Sequence, residues 1–216
     1  MSEATRLVDE LRRYVTDERV LAAIGAVPRE AFVPDDLRPH AYDNTALGIG
    51  CGQTISQPLV VARMSELLEL DPGDRVLDVG TGSGYHAAVL AALSAHVWSV
   101  ERHADLSQGA AEALEAAGVE NVTLAVGDGA RGLPDEAPFD AINVAAAGVR
   151  AALETLEEQL AEGGRIVAPL AGGPPALRAL GVSARRQRLA VGRREHGRVR
   201  WHHHEEVRFV PLVRDD

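Results

Sequence analysis

The feature that most constrains the fold of this chain is a short apolar segment that runs directly into three glycines at alternate positions. The segment is Arg75–Val79, the glycines are Gly80, Gly82 and Gly84, and a helix-compatible run, 87–93, follows at once. This order is typical of a buried parallel strand that turns tightly into a helix. Glycine allows the sharp bend and a close approach of a ligand to the backbone, and the helix N-terminus offers free N–H groups.

An acidic residue after the next strand indicates the class of ligand. The apolar segment 96–100 ends at Glu101, seventeen residues after Gly84. A carboxylate at the tip of the second strand of a β-α-β unit is placed to accept hydrogen bonds from ribose hydroxyls. Asp128, between two glycines at a third strand tip, is placed to meet an adenine edge. These residues predict a nucleoside site, and the alternative is an ordinary tight turn between a strand and a helix.

The spacing of the glycines separates two kinds of nucleoside ligand. Dinucleotide-binding enzymes usually have G-x-G-x-x-G with room for a pyrophosphate, whereas this chain has G-x-G-x-G followed by Tyr85 and His86. The tighter spacing favours S-adenosylmethionine over NAD.

Strand and helix patterns alternate from residue 75 onward, which predicts an α/β fold. We expect a Rossmann-like, doubly wound, mostly parallel sheet with helices on both faces. The predicted strands are 75–79, 96–100, 122–126, 139–144 and 165–170, and the predicted helices are 87–93, 106–117 and 149–162. Segments 187–193 and 199–213, joined through His196-Gly197, predict a C-terminal antiparallel hairpin at the sheet edge.

The residues before this core predict helices and a loop over a pocket. Periodic apolar residues indicate helices at 4–15, 17–27 and 59–70, and the glycine-rich segment 45–52 resembles a pocket loop. We expect one domain over 1–216, in which 1–57 holds the N-terminal helices and active-site loop. The nucleoside-binding core then occupies 58–170, and the C-terminal strands occupy 171–216.

Composition narrows the possible partners and location. The net charge of −10 over 216 residues argues against nucleic acid, because phosphates would be repelled over most of the surface. No apolar run approaches the ~18 residues of a membrane span, the N-terminus lacks a signal-peptide pattern, and Cys51 is the only cysteine. We therefore expect a cytoplasmic protein that is a monomer and has no membrane as a partner. His202–His204 has no second ligand cluster, so we expect no metal site.

Seven short motifs occur in a fixed order, and together they resemble one enzyme family. They are 27–33 (VPREAFV), 53–58 (QTISQP), 76–85 (VLDVGTGSGY), 100–102 (VER), 127–129 (GDG), 137–142 (APFDAI) and 207–212 (VRFVPL). This set resembles the bacterial protein-L-isoaspartate O-methyltransferases from about residue 21 to residue 213. The Thr-Ile-Ser-Gln-Pro segment is the most specific of them, since many methyltransferases share the glycine motif. Two departures are Cys51, where the family often has Gln, and the segment 171–186 with its Gly-Gly-Pro-Pro.

The resemblance implies a class I methyltransferase with S-adenosylmethionine as methyl donor. It implies methylation of the free α-carboxylate of L-isoaspartyl residues in damaged proteins or peptides, which initiates repair through a methyl ester and a succinimide. It places Ser56 in the active site as the catalytic residue. The donor-binding residues that it implies are Thr54, Ile55, Asp78, Gly80, Thr81, Gly82, Ser83, Gly84, His86, Glu101, Arg102, Gly127, Asp128 and Gly129. The substrate-binding residues that it implies are Thr54, Ser56, Gln57, Pro58, Val61, Arg208 and Val210.

The chemistry of this reaction agrees with the residues that the chain offers. An α-carboxylate with a pKa near ~3.5 is already ionised at pH 7, so no general base is required. Alignment in a dry pocket can supply ~7–11 kcal/mol of the barrier. The segment 143–147 is not the Asn/Asp-Pro-Pro-aromatic loop of DNA amino-methylating enzymes, which counts against a nucleobase substrate.

Three other functions remain open at this point. One is methylation of a carboxylate in a dedicated peptide, and another is a non-catalytic nucleoside-binding or adaptor domain. The third is a dinucleotide oxidoreductase, which the glycine spacing disfavours. Retention of the three glycines, Glu101, Asp128 and Ser56 argues against a non-catalytic domain.

Overall fold

A seven-stranded sheet forms the centre of the computed structural model, which describes residues 1–172 and 187–213. The helices are α1 (Glu3–Leu11), α2 (Glu18–Ala26), α3 (Pro58–Leu68), α4 (Tyr85–Ala91), α5 (Ala104–Ala116) and α6 (Glu154–Glu158). The strands are β1 (Leu47–Gly50), β2 (Gln53–Ile55), β3 (Arg75–Val79), β4 (His96–Glu101), β5 (Val122–Val126), β6 (Phe139–Val144), β7 (Leu160–Ala171), β8 (Gln187–Glu195) and β9 (Arg198–Val207).

The strand order in the sheet is β5-β4-β3-β6-β7-β8-β9, and β1 and β2 form a separate hairpin. The first five strands of this order are parallel, and β8 is antiparallel to both of its neighbours. The predicted mostly parallel α/β sheet and its C-terminal hairpin are thus confirmed, and the order of the last two strands is defined. The order reverses at β3, so a crevice opens beyond the carboxyl ends of β3 and β6.

Apolar side chains on the two faces of the sheet form two separate clusters. Val76 and Val97 pack in one cluster with residues of α1 to α5, such as Leu114. Leu77 and Val79 also belong to β3 but point to the other face of the sheet. They pack in the second cluster with residues of α6 and the turn before it, such as Leu153 and Leu156. Helices therefore cover both faces, as predicted. Within the described ranges, no helix combines the length and apolar character needed to cross a bilayer.

The structure corrects two of the predicted elements. The helix predicted over 149–162 is wrong, because α6 ends at Glu158 and Leu160 already begins β7. The helix ends there because the Gln159 carbonyl accepts from Phe139 N (2.9 Å) in β6, while the Gln159 side chain bonds Leu133 N (2.8 Å). The strand predicted to reach Val213 ends at Val207. Residues 173–186, which form most of the segment 171–186 noted above as a departure, lie outside the described residues.

Candidate active site

A cavity of about 310 Å³ lies at the carboxyl ends of β3, β4 and β6, beside the point at which the strand order reverses. The glycine turn after β3 forms its floor, and Gly80 and Gly82 have positive φ angles of 96° and 53°. A Cβ atom on Gly84 would lie 3.2 Å from Ala110 Cβ, so this third glycine allows α4 to pack against α5. The first two glycines thus expose backbone to the cavity, whereas the third serves packing.

Glu101 connects the tip of β4 to the glycine turn. Its Oε2 accepts a hydrogen bond from Gly82 N at 2.9 Å, and its Oε1 accepts from His103 N at 3.0 Å. The side chain is nearly buried, and the residue lines the cavity. Each carboxylate oxygen has a further lone pair, so the group can still accept hydrogen bonds from a diol. The ribose-binding role of Glu101 stays a prediction.

The third strand tip contributes less directly to the cavity. Of the three residues predicted there, Gly129 lines the cavity, and a Cβ on it would lie 2.6 Å from Val79 Cγ1. Asp128 caps a short helical turn, and its Oδ1 accepts from Ala130 N at 2.9 Å. Contact between the Asp128 side chain and an adenine edge stays a prediction.

A buried polar network lies behind the glycine turn. Asp78, fully buried, accepts hydrogen bonds from Asn143 Nδ2 (2.7 Å) and Ser99 Oγ (2.7 Å), and the Ser99 hydroxyl also contacts Thr81 Oγ1 (2.6 Å). Asp78 fixes the orientation of the Asn143 amide. In the flipped orientation the amide oxygen, which is an acceptor, would face the Asp78 carboxylate. The network joins β3, β4 and β6 under the cavity and holds their tips in register.

His86 extends this network and is held neutral. Its Nδ1 faces Asn143 Nδ2 at 3.1 Å and therefore accepts, which places its proton on Nε2, 3.3 Å from Ser65 Oγ. Burial lowers the pKa of His86 to about 3. The imidazole lines the cavity, but both of its nitrogens face protein groups, so it is not placed to act as a base.

Burial also raises the pKa of Asp78 from 3.8 to about 6, because desolvation of the charged form outweighs the hydrogen bonds from Asn143 and Ser99. A carboxyl whose pKa is raised on folding stabilises the protein below its unfolded pKa, and this contribution is lost as pH rises to the folded pKa. The Asp78→Asn variant lacks this titration. We therefore expect its unfolding free energy, relative to that of wild type, to increase by up to about 3 kcal/mol from pH 4 to pH 7. Urea unfolding at pH 4, 5.5 and 7 measures this difference, and a difference that does not change with pH would contradict it.

The hairpin β1–β2 and the residues after it form the opposite wall. Thr54, Ile55 and Ser56 line the cavity together with Val61 of α3. The segment predicted as a pocket loop is therefore this hairpin, which covers the glycine turn. A Cβ on Gly82 would lie 3.4 Å from Ile49 Cδ1 of β1.

Ser56 lies just outside α3 and does not cap it. The N-cap residue is Gln57, whose side chain forms no capping hydrogen bond, and Leu59 N donates instead to Asn44 Oδ1 at 3.1 Å. Asn44 therefore supplies the capping acceptor at the start of α3, and Ser56 does not. Ser56 is one of the residues that line the cavity.

An extended segment after β9 closes the remaining side. Ala147 N donates to Val210 O (2.7 Å), and Leu212 N donates to Ala147 O (2.8 Å). Gln187 fixes the start of this segment, since its side chain donates to Phe209 O (3.1 Å) and accepts from Phe209 N (2.6 Å). Residues 210–213 consequently line the cavity.

Most of the residues that the sequence predicts for the site meet at this cavity. Those that line it are Thr54, Ile55, Ser56, Val61, Gly80, Thr81, Gly82, Ser83, His86, Glu101, Arg102, Gly129 and Val210. The other predicted residues are not among the lining residues: Gln57, Pro58, Asp78, Gly84, Gly127, Asp128 and Arg208. Sequence reasoning missed the other lining residues, which are Cys51, Gln53, Val79, Tyr85, Val100, His103, Ala145, Ala146 and residues 211–213. The network residues Ser99 and Asn143 follow strand patterns, but no local signal marks them as partners of Asp78.

Comparison with known proteins agrees with this geometry. A model of the protein-L-isoaspartate(D-aspartate) O-methyltransferase family matches residues 2–216. The protein-L-isoaspartate O-methyltransferase of Koribacter versatilis is 47% identical over 213 residues, which cover 98% of this chain and 90% of that protein. The protein of the same name from Halorhodospira halophila is 56% identical over 170 residues, which cover 77% of this chain and 76% of that protein.

Solved structures agree as well. One named protein-L-isoaspartate O-methyltransferase has a TM-score of 0.84 and 30% identity, and the match covers 97% of this chain and 66% of that chain. A Plasmodium falciparum structure, described as a beta-aspartate methyltransferase in complex with S-adenosyl-L-homocysteine, has a TM-score of 0.79 over the full length of both chains. Its identity of 24% supports the fold alone.

Proposed function

The chain belongs to the protein-L-isoaspartate(D-aspartate) O-methyltransferase family, and we propose that it methylates the free α-carboxylate of L-isoaspartyl residues in damaged proteins or peptides, with S-adenosylmethionine as donor. The methyl ester then starts repair through a succinimide. One observation carries the proposal: Ser56, the glycine turn and Glu101 face one cavity.

The donor half of the cavity fits a nucleoside with a charged tail. Glu101 offers its carboxylate for the ribose hydroxyls, and the backbone of Gly80 and Gly82 is exposed beside it. When bound, S-adenosylmethionine supplies a methyl group on a sulfonium, and its transfer to a carboxylate yields a neutral ester and a neutral thioether. This part of the site therefore binds and orients, and its residues move no proton.

The acceptor half needs to hold an anion in one orientation. We assign Ser56 to donate a hydrogen bond to one carboxylate oxygen, so that the other oxygen points toward the methyl group. Thr54, Val61 and Val210 line the same cavity, and we assign the two valines to keep water away from the acceptor. No base is required, because the acceptor is already ionised. His86 is neutral, so it does not form an ion pair with the acceptor carboxylate. The serine should orient more than activate, since strong stabilisation of the ground-state anion would weaken its attack.

The experiment that tests the proposal is Ser56→Ala with an isoaspartyl peptide as substrate. We expect kcat/KM to fall about tenfold, which corresponds to the loss of one hydrogen bond to a charged group of ~1–3 kcal/mol. Donor affinity, measured by calorimetry, should stay near wild type, and so should the melting temperature.

Ser94→Ala is the matched control, because the Ser94 hydroxyl donates to Leu90 O (2.8 Å) at the end of α4, away from the cavity lining. We expect this variant to keep wild-type kinetics. A loss of melting temperature with unchanged kinetics for Ser56→Ala would mean that the serine is structural, and the active-site role would move to Thr54 or Gln57.

We further propose that the chain works in the cytoplasm as a monomer and binds no nucleic acid. The net charge of −10 disfavours phosphate backbones. Cys51 is exposed as a free thiol, which suits a reducing compartment. Sedimentation at several protein concentrations tests the monomer, and a gel-shift titration with duplex DNA tests the second statement.

A further inference from the structure

Arg29 is a fully buried cation that contacts two parts of the cavity lining, one at Ser56 and one at Tyr85. It begins a short helical turn, Arg29–Phe32, before the hairpin. Its Nη2 donates to the Ser56 carbonyl at 2.7 Å, and its Nε donates to the Ala41 carbonyl at 2.8 Å. The guanidinium carbon also lies 4.6 Å from the centre of the Tyr85 ring, which lines the cavity at the start of α4.

The free-energy cost of burying the Arg29 cation is unusual for a side chain that serves packing alone. Removing a cation from water costs several kcal/mol unless its partners compensate, and burial accordingly lowers the pKa of Arg29. Its Nη1 is buried without a hydrogen-bond partner among residues 1–172 and 187–213. The two carbonyls and the ring therefore compensate only in part.

The chemistry of arginine explains why this group suits the position. Its planar fork donates in two fixed directions while its face lies on an aromatic ring. A lysine ammonium, as a compact point charge on a flexible stem, cannot make the same three contacts at once. The Arg29 side chain thus fixes the main chain at Ser56 relative to Tyr85, which also lines the cavity.

We propose that Arg29 is a positioning residue for methyl transfer, which sets the direction of the Ser56 hydroxyl by holding the Ser56 carbonyl. This inference rests on the role proposed above for Ser56. A hydroxyl that orients an acceptor must be held within about 0.5 Å of its productive place, and loops achieve this only with such support. Arg29 touches no reacting atom, so its effect should pass through Ser56.

A double-mutant cycle with Ser56→Ala tests this coupling. With donor saturating, we expect Arg29→Lys to lower kcat/KM for an isoaspartyl peptide about tenfold in the wild-type background, and by less than about twofold in the Ser56→Ala background. Donor affinity should change by less than about twofold in both. An equal fall in both backgrounds would overturn the inference, and so would wild-type kinetics for Arg29→Lys.

Two further variants keep the outcome clear. Arg29→Gln is neutral and so avoids burying an ammonium, and it goes through the same cycle with the same expectation if Arg29→Lys does not fold. Arg75→Lys is the control for the type of contact, because the exposed Arg75 also donates to two carbonyls, those of Glu136 (2.6 Å) and Pro138 (3.4 Å), and lies 4.2 Å from the Trp98 ring. It stands at the opposite end of β3 from the glycine turn, so its kcat/KM should stay within about twofold of wild type. A tenfold fall for this control would mean that the loss at Arg29 is a general packing effect.

The cycle also separates the two proposals. If Ser56→Ala alone has wild-type kinetics, the role of Ser56 fails. If Ser56→Ala is impaired but Arg29→Lys adds its full effect to it, the role of Arg29 alone fails.

Discussion

A peptide that contains an isoaspartyl residue is expected to be methylated at least about 100 times faster than its twin with a normal aspartyl residue. The isoaspartyl carboxylate is attached one methylene closer to the main chain, and the chain leaves it at a different angle. A displacement of about 1 Å from the productive position can cost about 100-fold in rate, because the reacting atoms must be in line. Ser56 and Val210 both line the cavity, and their main-chain carbonyls accept hydrogen bonds from Arg29 and Ala147. These parts of the wall therefore cannot readily adjust to the longer side chain.

The measurement is the initial rate of labelled methyl incorporation into two peptides of one sequence. A third peptide with asparagine at the same position is the control, since it has no carboxylate there and should remain unlabelled. Equal rates for the first two peptides would remove the repair function. Labelling of neither peptide by a protein that binds the donor would favour a relative that methylates one dedicated peptide.

The part of the fold that local pattern determines could be predicted from the sequence. Strand β3, its glycine turn and the presence of a helix after it were predictable because apolar periodicity and glycine positions are properties of neighbouring residues. The helix over 149–162 was predicted wrongly because its end depends on contacts with Leu133 and Phe139, which are distant in sequence. A pattern of neighbours contains no information on such partners.

The same distinction applies to the site. Gly80, Gly82 and Glu101 were predictable as a motif, and the family resemblance through which Ser56 was found is confirmed. Asn143 and Arg29 were not predictable as supports of the site, because Asn143 bonds a residue 65 positions away and Arg29 bonds one 27 positions away. The residues that we assign to ligands could be named from motifs. The supporting roles of Asn143 and of Arg29, which itself belongs to the motif 27–33, depend on the completed fold.

The second large effect is expected for Glu101→Ala, which should weaken binding of S-adenosylmethionine and of its demethylated product about 100-fold. The substitution removes the carboxylate and with it the charge-assisted hydrogen bonds to the ribose, each of ~1–3 kcal/mol. The variant also removes the acceptor of Gly82 N, so the glycine turn loses the contact that holds it against β4. Calorimetric titration measures both ligands, with NAD as a ligand that should not bind.

Glu162→Ala is the control that separates donor binding from the loss of a backbone clamp. The Glu162 carboxylate also accepts from two main-chain N–H groups, those of His196 and Gly197, but it does so at the β8–β9 turn. Its loss should therefore affect the hairpin and leave donor affinity at the wild-type value. If both variants weaken donor binding equally, the effect is a general loss of order and Glu101 has no special role. Tight binding of NAD, with none of S-adenosylmethionine, would instead mean that the glycine turn was assigned to the wrong class of nucleoside.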